Sequence, residues 1–299
     1  MDDWIQPSVG SSFASLAIGG IGLALLFWRR PMLRGTTLMT PWFWASFSII
    51  AISSCEAAIG WSYNLKPQTW HESVRFAAAI TVFLPVMAQI GAKRPQDNAW
   101  QLIVVSLWVI LALPAAKHFA FERELPFEIH GAWQWFLAIL IVLNLVNALP
   151  TRFFPSSLLL GTAQILLLSR FLPVPLPSSG CAGPLTALLL ADCSIALVAF
   201  GFPASRVVSR PEDRVWLDFR DSFGTLWGLR VAERVNAAAE MYNWNVTLTW
   251  SGFRVGESDD ETIEIPADVA KMLRKTTRGL LRRFVSSEWI ARRLEQPNG

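Results

Sequence analysis

The sequence predicts an all-α polytopic membrane bundle of about seven transmembrane helices, N-terminus out and C-terminus in, with a small cytoplasmic α+β tail. Three observations carry this. Residues 13–200 form a run of apolar stretches separated by short polar loops, after which the sequence becomes densely charged. About 18–20 apolar residues in a helix cross the roughly 30 Å hydrocarbon core of a bilayer. Charged residues make up 16% of the chain, and residues 1–201 hold 11 of the 26 Lys and Arg and 9 of the 23 Asp and Glu. The +3 net charge therefore averages two unlike parts and says little about partners. Trp is abundant, at 15 residues, and Trp4, Trp28, Trp42, Trp44, Trp61, Trp70, Trp100, Trp133 and Trp135 sit at the ends of apolar stretches. An indole prefers that membrane–water boundary. The expected division is a transmembrane domain at 1–202 and a cytoplasmic domain with amphipathic helices at 203–299.

Seven spans are predicted, at about residues 11–28, 41–62, 76–92, 99–116, 131–149, 156–173 and 183–202. The first ends in Trp28-Arg29-Arg30 and begins after acidic Asp2 and Asp3, so no cleavable signal peptide is expected. Its Gly19, Gly20 and Gly22, like the Ser/Ala/Cys face of the second span, read as close helix-packing surfaces. Pro85 interrupts the third span, where neighbouring helices must satisfy the backbone groups it frees. Asn144, Asn147, Gln164 and Gln89 read as interhelical hydrogen-bonding groups. Cys55, Cys181 and Cys193 form no disulfide framework or metal-binding spacing.

Orientation follows the basic residues. Arg29, Arg30, Arg34, Lys93, Arg94, Arg152, Arg206, Arg210 and Arg214 fall in alternate loops and the start of the tail, and the other loops are poorer in positive charge or offset by acids. The expected location is the bacterial cytoplasmic (inner) membrane, with the bilayer itself as a partner. Seven spans so oriented invite comparison with retinal proteins, but the last span has no Lys to carry the chromophore.

Ionisable groups inside a bilayer are costly and often functional. Glu56 in the second span, Arg170 in the sixth and Asp192 in the seventh lie at similar depths in the outer half, so a Glu56–Arg170–Asp192 cluster is a candidate relay or ligand anchor. The plainer reading is an internal ion pair, with Arg170 snorkelling to the interface. His71, His118 and His130 all fall in expected outer loops, which makes them weak candidates for haem or metal ligation. Solvated loop histidines are the simpler reading, and no cofactor is predicted outright. The segment Gly131-Ala132-Trp133-Gln134-Trp135-Phe136 after His130 resembles, over six residues, the Trp-rich outer segment of haem-handling proteins of cytochrome c assembly. It lacks that family's Asp and heads a span instead of lying between histidines. Interfacial Trp accounts for it equally, and no family is assigned.

In the tail, residues 211–244 have helical periodicity, weakened as a single straight helix by Gly224 and Gly228. Residues 245–250 alternate as a strand, with Ile263 and Ile265 as the expected partner across the acidic stretch 257–261. A helix follows from Pro266 into Phe284, with a further turn or two at 286–294. Lys271, Arg274, Lys275, Arg278, Arg282 and Arg283 give it a basic face suited to anionic lipid or a protein partner. Nucleic acid is not an expected partner, because the tail's charges nearly cancel and no reading motif is present. No Walker loop, dinucleotide fingerprint or kinase motif appears, and the cytoplasmic Asn245-Val246-Thr247 is not expected to be glycosylated. No catalytic residues are predicted. Three readings follow: a non-catalytic subunit, assembly factor or sensor whose tail docks a partner or the membrane surface; a secondary transporter or channel using Glu56 and Asp192; or a redox or haem/metal-handling protein using the outer histidines. Against transport, no internal repeat is evident.

Overall fold

In hydrocarbon every backbone N–H and C=O must be satisfied within the protein, so long apolar runs fold as helices. The computed structural model describes residues 9–63, 70–122, 124–174, 182–204, 208, 210–256 and 265–295. Asp2, Asp3, Trp4, Arg123, Cys181, Arg206, Ile263 and the acidic stretch 257–261 lie outside these. The membrane part comprises α1 (Val9–Arg29), α2 (Met39–Tyr63), α3 (Trp70–Ala79), α4 (Leu84–Ile90), α5 (Asp97–Phe121), α6 (Gly131–Ala148), α7 (Phe154–Leu168) and α8 (Ala182–Ala199). Among the described residues six helical segments are long and apolar enough to cross a membrane: Val9–Leu33, Met39–Ser62, Trp70–Ile90, Ala99–Phe121, Gly131–Ala148 and Phe154–Phe171. Most of the segment predicted as a seventh span forms a shorter apolar helix, Gly183–Ala199.

The third span, α3 and α4 joined by a 3₁₀ turn at Ile80–Phe83, lies at the centre of the bundle. Phe76, Ile80, Phe83 and Leu84 are fully buried there against α2, α5 and α7. Pro85 has no N–H for the carbonyl of Thr81, one turn back. The Ser48 hydroxyl of α2 donates to that carbonyl at 2.6 Å. Gln164 of α7 reaches the carbonyl of Val82 at 3.4 Å and accepts from Asn144 of α6 at 3.3 Å. The kinked span is tolerated because protein, not lipid, surrounds it. The periphery is the opposite. Leu102, Ile103, Ile110 and Leu113 of α5, and Ile139 and Val142 of α6, are exposed, as a lipid-facing surface requires.

At the other side of the bundle α1 packs into the groove between α2 and α8. A Cβ on Gly19 would meet Ser53 of α2 at 2.6 Å, and one on Gly22 would overlap the carboxyl of Asp192 of α8. Gly20 faces open space, which corrects its reading as a packing residue. Its neighbours at i−1 and i+2 turn the small-residue face elsewhere.

The tail forms a second core. It contains α9 (Pro211–Met241), β1 (Val246–Leu248), β2 (Phe253–Val255), α10 (Ala267–Leu281) and α11 (Ser287–Glu295). Gly224 breaks α9 with φ 78° and ψ −174°, a region open to glycine alone. β1 pairs antiparallel with β2 in the register Val246–Val255 and Leu248–Phe253. The partner of β1 is thus 253–255, reached at once through Ser251-Gly252; of the expected partner, Ile265 lies outside any strand and Ile263 outside the described residues. Phe219 stacks on Phe223, Phe284 meets both rings edge to face, Trp216 and Trp289 are buried in the same core, and α10 buries Leu273 and Leu281 into it.

Candidate functional site

The tail is clamped to one end of the bundle by three loops. The Thr37 amide donates to the Phe284 carbonyl at 2.9 Å, and the Ser286 amide to the Gly35 carbonyl at 2.6 Å. The Arg94 amide donates to the Arg283 carbonyl at 2.8 Å. On the other side of the tail the Trp250 indole donates to the Pro150 carbonyl at 2.5 Å. The broken α9 fits the end of α6: the Leu226 amide donates to Asn147 Oδ1 at 3.2 Å, and Thr225 Oγ1 to the Asn147 carbonyl at 2.9 Å. Gln89 Nε2 donates to the Ser222 carbonyl at 3.0 Å. Gln89 and Asn147 therefore hold the tail, whereas Asn144 and Gln164 bond between spans as expected.

Between this clamp and the bundle lies a cavity of about 410 Å³. The ends of α1, α6, α7 and α8 form its roof and walls, and α9 and α11 its floor. Arg29, Arg152, Arg293 and Asp221 bring charge to its lining, and Ser157 and Asn144 bring polar groups. Arg152 pairs with Asp221 at 3.5 Å, and Asp221 also accepts from Arg220 at 2.6 Å. Arg293 pairs with Asp218 at 2.6 Å and stacks on Trp289. Burial lowers the Arg293 guanidinium below its usual pKa, and Asp218 opposes the shift. Arg29 meets no carboxylate among the described residues: one nitrogen donates to Met32 Sδ at 3.2 Å, and its Nε is buried without a hydrogen bond. The Ser157 hydroxyl is likewise buried with no hydrogen bond among those residues, and Arg152 Nε, also buried, has only the 3.5 Å ion pair with Asp221.

The chain matches no known family model, no curated protein and no solved structure.

The intramembrane candidates do not converge. Glu56 forms a two-pronged pair with Arg75 of α3, at 2.6 and 2.9 Å. Arg170 pairs with Glu72 at the start of α3, half exposed, as a snorkelling residue would be. Asp192 lies buried against the Gly22 backbone at the seam of α1 and α8, with no side chain among the described residues hydrogen-bonded to its carboxylate. Sequence reasoning missed Arg75 because it stood one position before the expected span. The helix begins at Trp70, which carries Arg75 into reach of Glu56.

The histidines are separately engaged. His71 is buried, with Nε2 3.1 Å from the Ser62 hydroxyl. His118 is buried, and its Nε2 donates to the Leu125 carbonyl at 2.8 Å. His130 caps α6, its Nδ1 accepting from the Ala132 amide at 3.3 Å. Among the described residues no group of three or more His, Cys, Asp or Glu is placed to hold a metal ion. Cys55 and Cys193 are free thiols.

Replacing Glu56 by Gln is expected to weaken the fold by about 1–3 kcal/mol, because Arg75 would then face a neutral amide in a mostly buried site. Thermal unfolding in detergent checks this. The Glu56→Gln/Arg75→Gln double variant should recover much of the loss, and no recovery would mean the pair does not act as a unit.

Proposed function

We propose that the chain is a multi-pass, non-catalytic component of the bacterial cytoplasmic membrane, with seven spans, whose clamped tail presents a basic helix to an acidic protein partner. One observation carries the reading. Lys271, Lys275, Arg278, Arg282 and Arg283 are exposed and meet no carboxylate among the described residues. Arg274 alone of the six is paired, with Glu212 at 2.6 Å. The helix is anchored by Leu273 and Leu281, so this charge is displayed from a fixed frame and not from a free arm. Its carboxyl end lies beside Lys93 and Arg94 in one open basic cleft, directly after the third span. Anionic lipid headgroups at that level add about 1 kcal/mol per basic residue.

Charge at the two ends of the bundle supports a cytoplasmic tail. The end that meets the tail carries Arg29, Arg30, Arg34, Lys93, Arg94 and Arg152, in excess over acids. At the far end the basic residues are offset: Arg75 by Glu56, Arg170 by Glu72 and Lys117 by Glu122. That asymmetry is the pattern of a cytoplasmic tail and an outer N-terminus. The seventh span is α8, which packs along α1 and α7 as a bundle member would.

The test is charge reversal by Lys271→Glu, Lys275→Glu and Arg278→Glu together, residues outside the tail core. Mild-detergent extraction from the native membrane should recover a near one-to-one partner with the natural chain and roughly tenfold less with the variant. A chain that extracts alone, or a partner retained equally by both, overturns the reading.

A further inference from the structure

We propose that the cavity between bundle and tail is a binding site for a phosphate group, carried by an anionic phospholipid of the cytoplasmic leaflet. Its chemistry is unbalanced as it stands. Asp221 and Asp218 are taken up by Arg220, Arg152 and Arg293, and Arg29 has no acid among the described residues. Ser157 is more than nine-tenths buried, lines the cavity and leaves its hydroxyl without a hydrogen bond among the described residues. The Nε of Arg29 is in the same condition, and that of Arg152 has only its long 3.5 Å ion pair with Asp221. Unmade hydrogen bonds of buried donors are costly, and cavity donors of this kind are satisfied by what the cavity holds. Two guanidinium forks and a hydroxyl suit a tetrahedral oxyanion, which accepts several charge-assisted hydrogen bonds at once.

Place argues for the lipid source. Arg29 ends α1, and Ser157 lies in the first turn of α7, so the donors stand where spans leave the hydrocarbon. Leu33, Leu160 and Val198 line the same cavity and supply an apolar wall continuous with the spans. An amphiphile fits both halves: its phosphate among the arginines, its acyl chains along that wall. A volume of about 410 Å³ is in the ordinary range for a ligand site, about 300–1,000 Å³. The site is independent of the basic face of α10, and either proposal can fail alone.

The experiment is native mass spectrometry of the full chain in detergent, with added phosphatidylglycerol, phosphatidylcholine or inorganic phosphate. One phosphatidylglycerol should be retained per chain, in preference to phosphatidylcholine. Arg29→Gln should weaken retention about tenfold, and Ser157→Ala by a smaller factor. Ser157→Ala also keeps the test sound if Arg29→Gln fails to fold. The Lys275→Glu variant should bind as the natural chain does. Inorganic phosphate binding that is lost in Arg29→Gln, with no preference between the lipids, would keep the phosphate site and assign it to a soluble ester. Absence of both, or binding that neither cavity variant alters, overturns the site.

Discussion

Replacing Gly224 by alanine is expected to release the tail from the bundle. The residue holds φ 78° and ψ −174°, where a side chain costs about 1–3 kcal/mol in backbone strain. A Cβ there would also lie 2.5–2.7 Å from three atoms of the Asn147 side chain. Asn147 cannot simply retreat, because its Oδ1 accepts the Leu226 amide at 3.2 Å. Strain and collision act on the same contact, so the docking equilibrium should shift by roughly one to two orders of magnitude. Limited proteolysis of the purified chain reads this as faster cleavage at the bundle–tail connection near residues 203–210. Asn147→Ala separates the two causes. Combined with Gly224→Ala it removes the collision but leaves the strain and loses the bond to the Leu226 amide, so protection from cleavage should be only partly restored. A Gly224→Ala chain cleaved at the natural rate would show that the break in α9 does not hold the tail.

That break illustrates what the sequence disclosed and what it did not. Local features were legible. Apolar length marked the spans, Gly224 marked the irregularity in α9, and Pro85 announced an unmet carbonyl, that of Thr81, to which the Ser48 hydroxyl donates. Partnerships across the fold were not. Glu56 was visible as an acid in need of a partner, but which helix lay beside it depends on packing order, and the answer was Arg75. β2 escaped because Phe253-Arg254-Val255 is too short to show alternation, although Ser251-Gly252 signalled the turn before it. The cavity left no sequence signature at all. Its donors come from segments more than a hundred residues apart, and Arg29 and Arg152 read along the chain only as markers of orientation.

Gly22→Ala is expected to have the second large effect, through Asp192. The new methyl would overlap Asp192 Oδ1 and sit 3.0 Å from its Cγ and 3.2 Å from Ile49 Cδ1, in a seam with no free volume. Overpacking of this kind costs about 1–3 kcal/mol. The carboxylate must turn away or the helices must part, and either weakens the joint among α1, α2 and α8. Asp192→Ala should behave differently, staying close to the natural stability, because the carboxyl has at most a backbone contact with Gly22 to lose and no regular hydrogen bond among the described residues. In the double variant the methyl introduced by Gly22→Ala would fill space that the carboxyl vacated, and stability should return toward the natural value. Thermal unfolding of the four chains in one detergent gives the coupling, expected at about 1–2 kcal/mol in favour of the double variant. A strongly destabilised Asp192→Ala chain would mean that the carboxyl has a structural partner and would sink the argument. The expected result has a sharper consequence. An acid in an apolar helix that the fold does not need is a candidate for ligand or ion handling, and the α1–α8 seam is then the place to assay it.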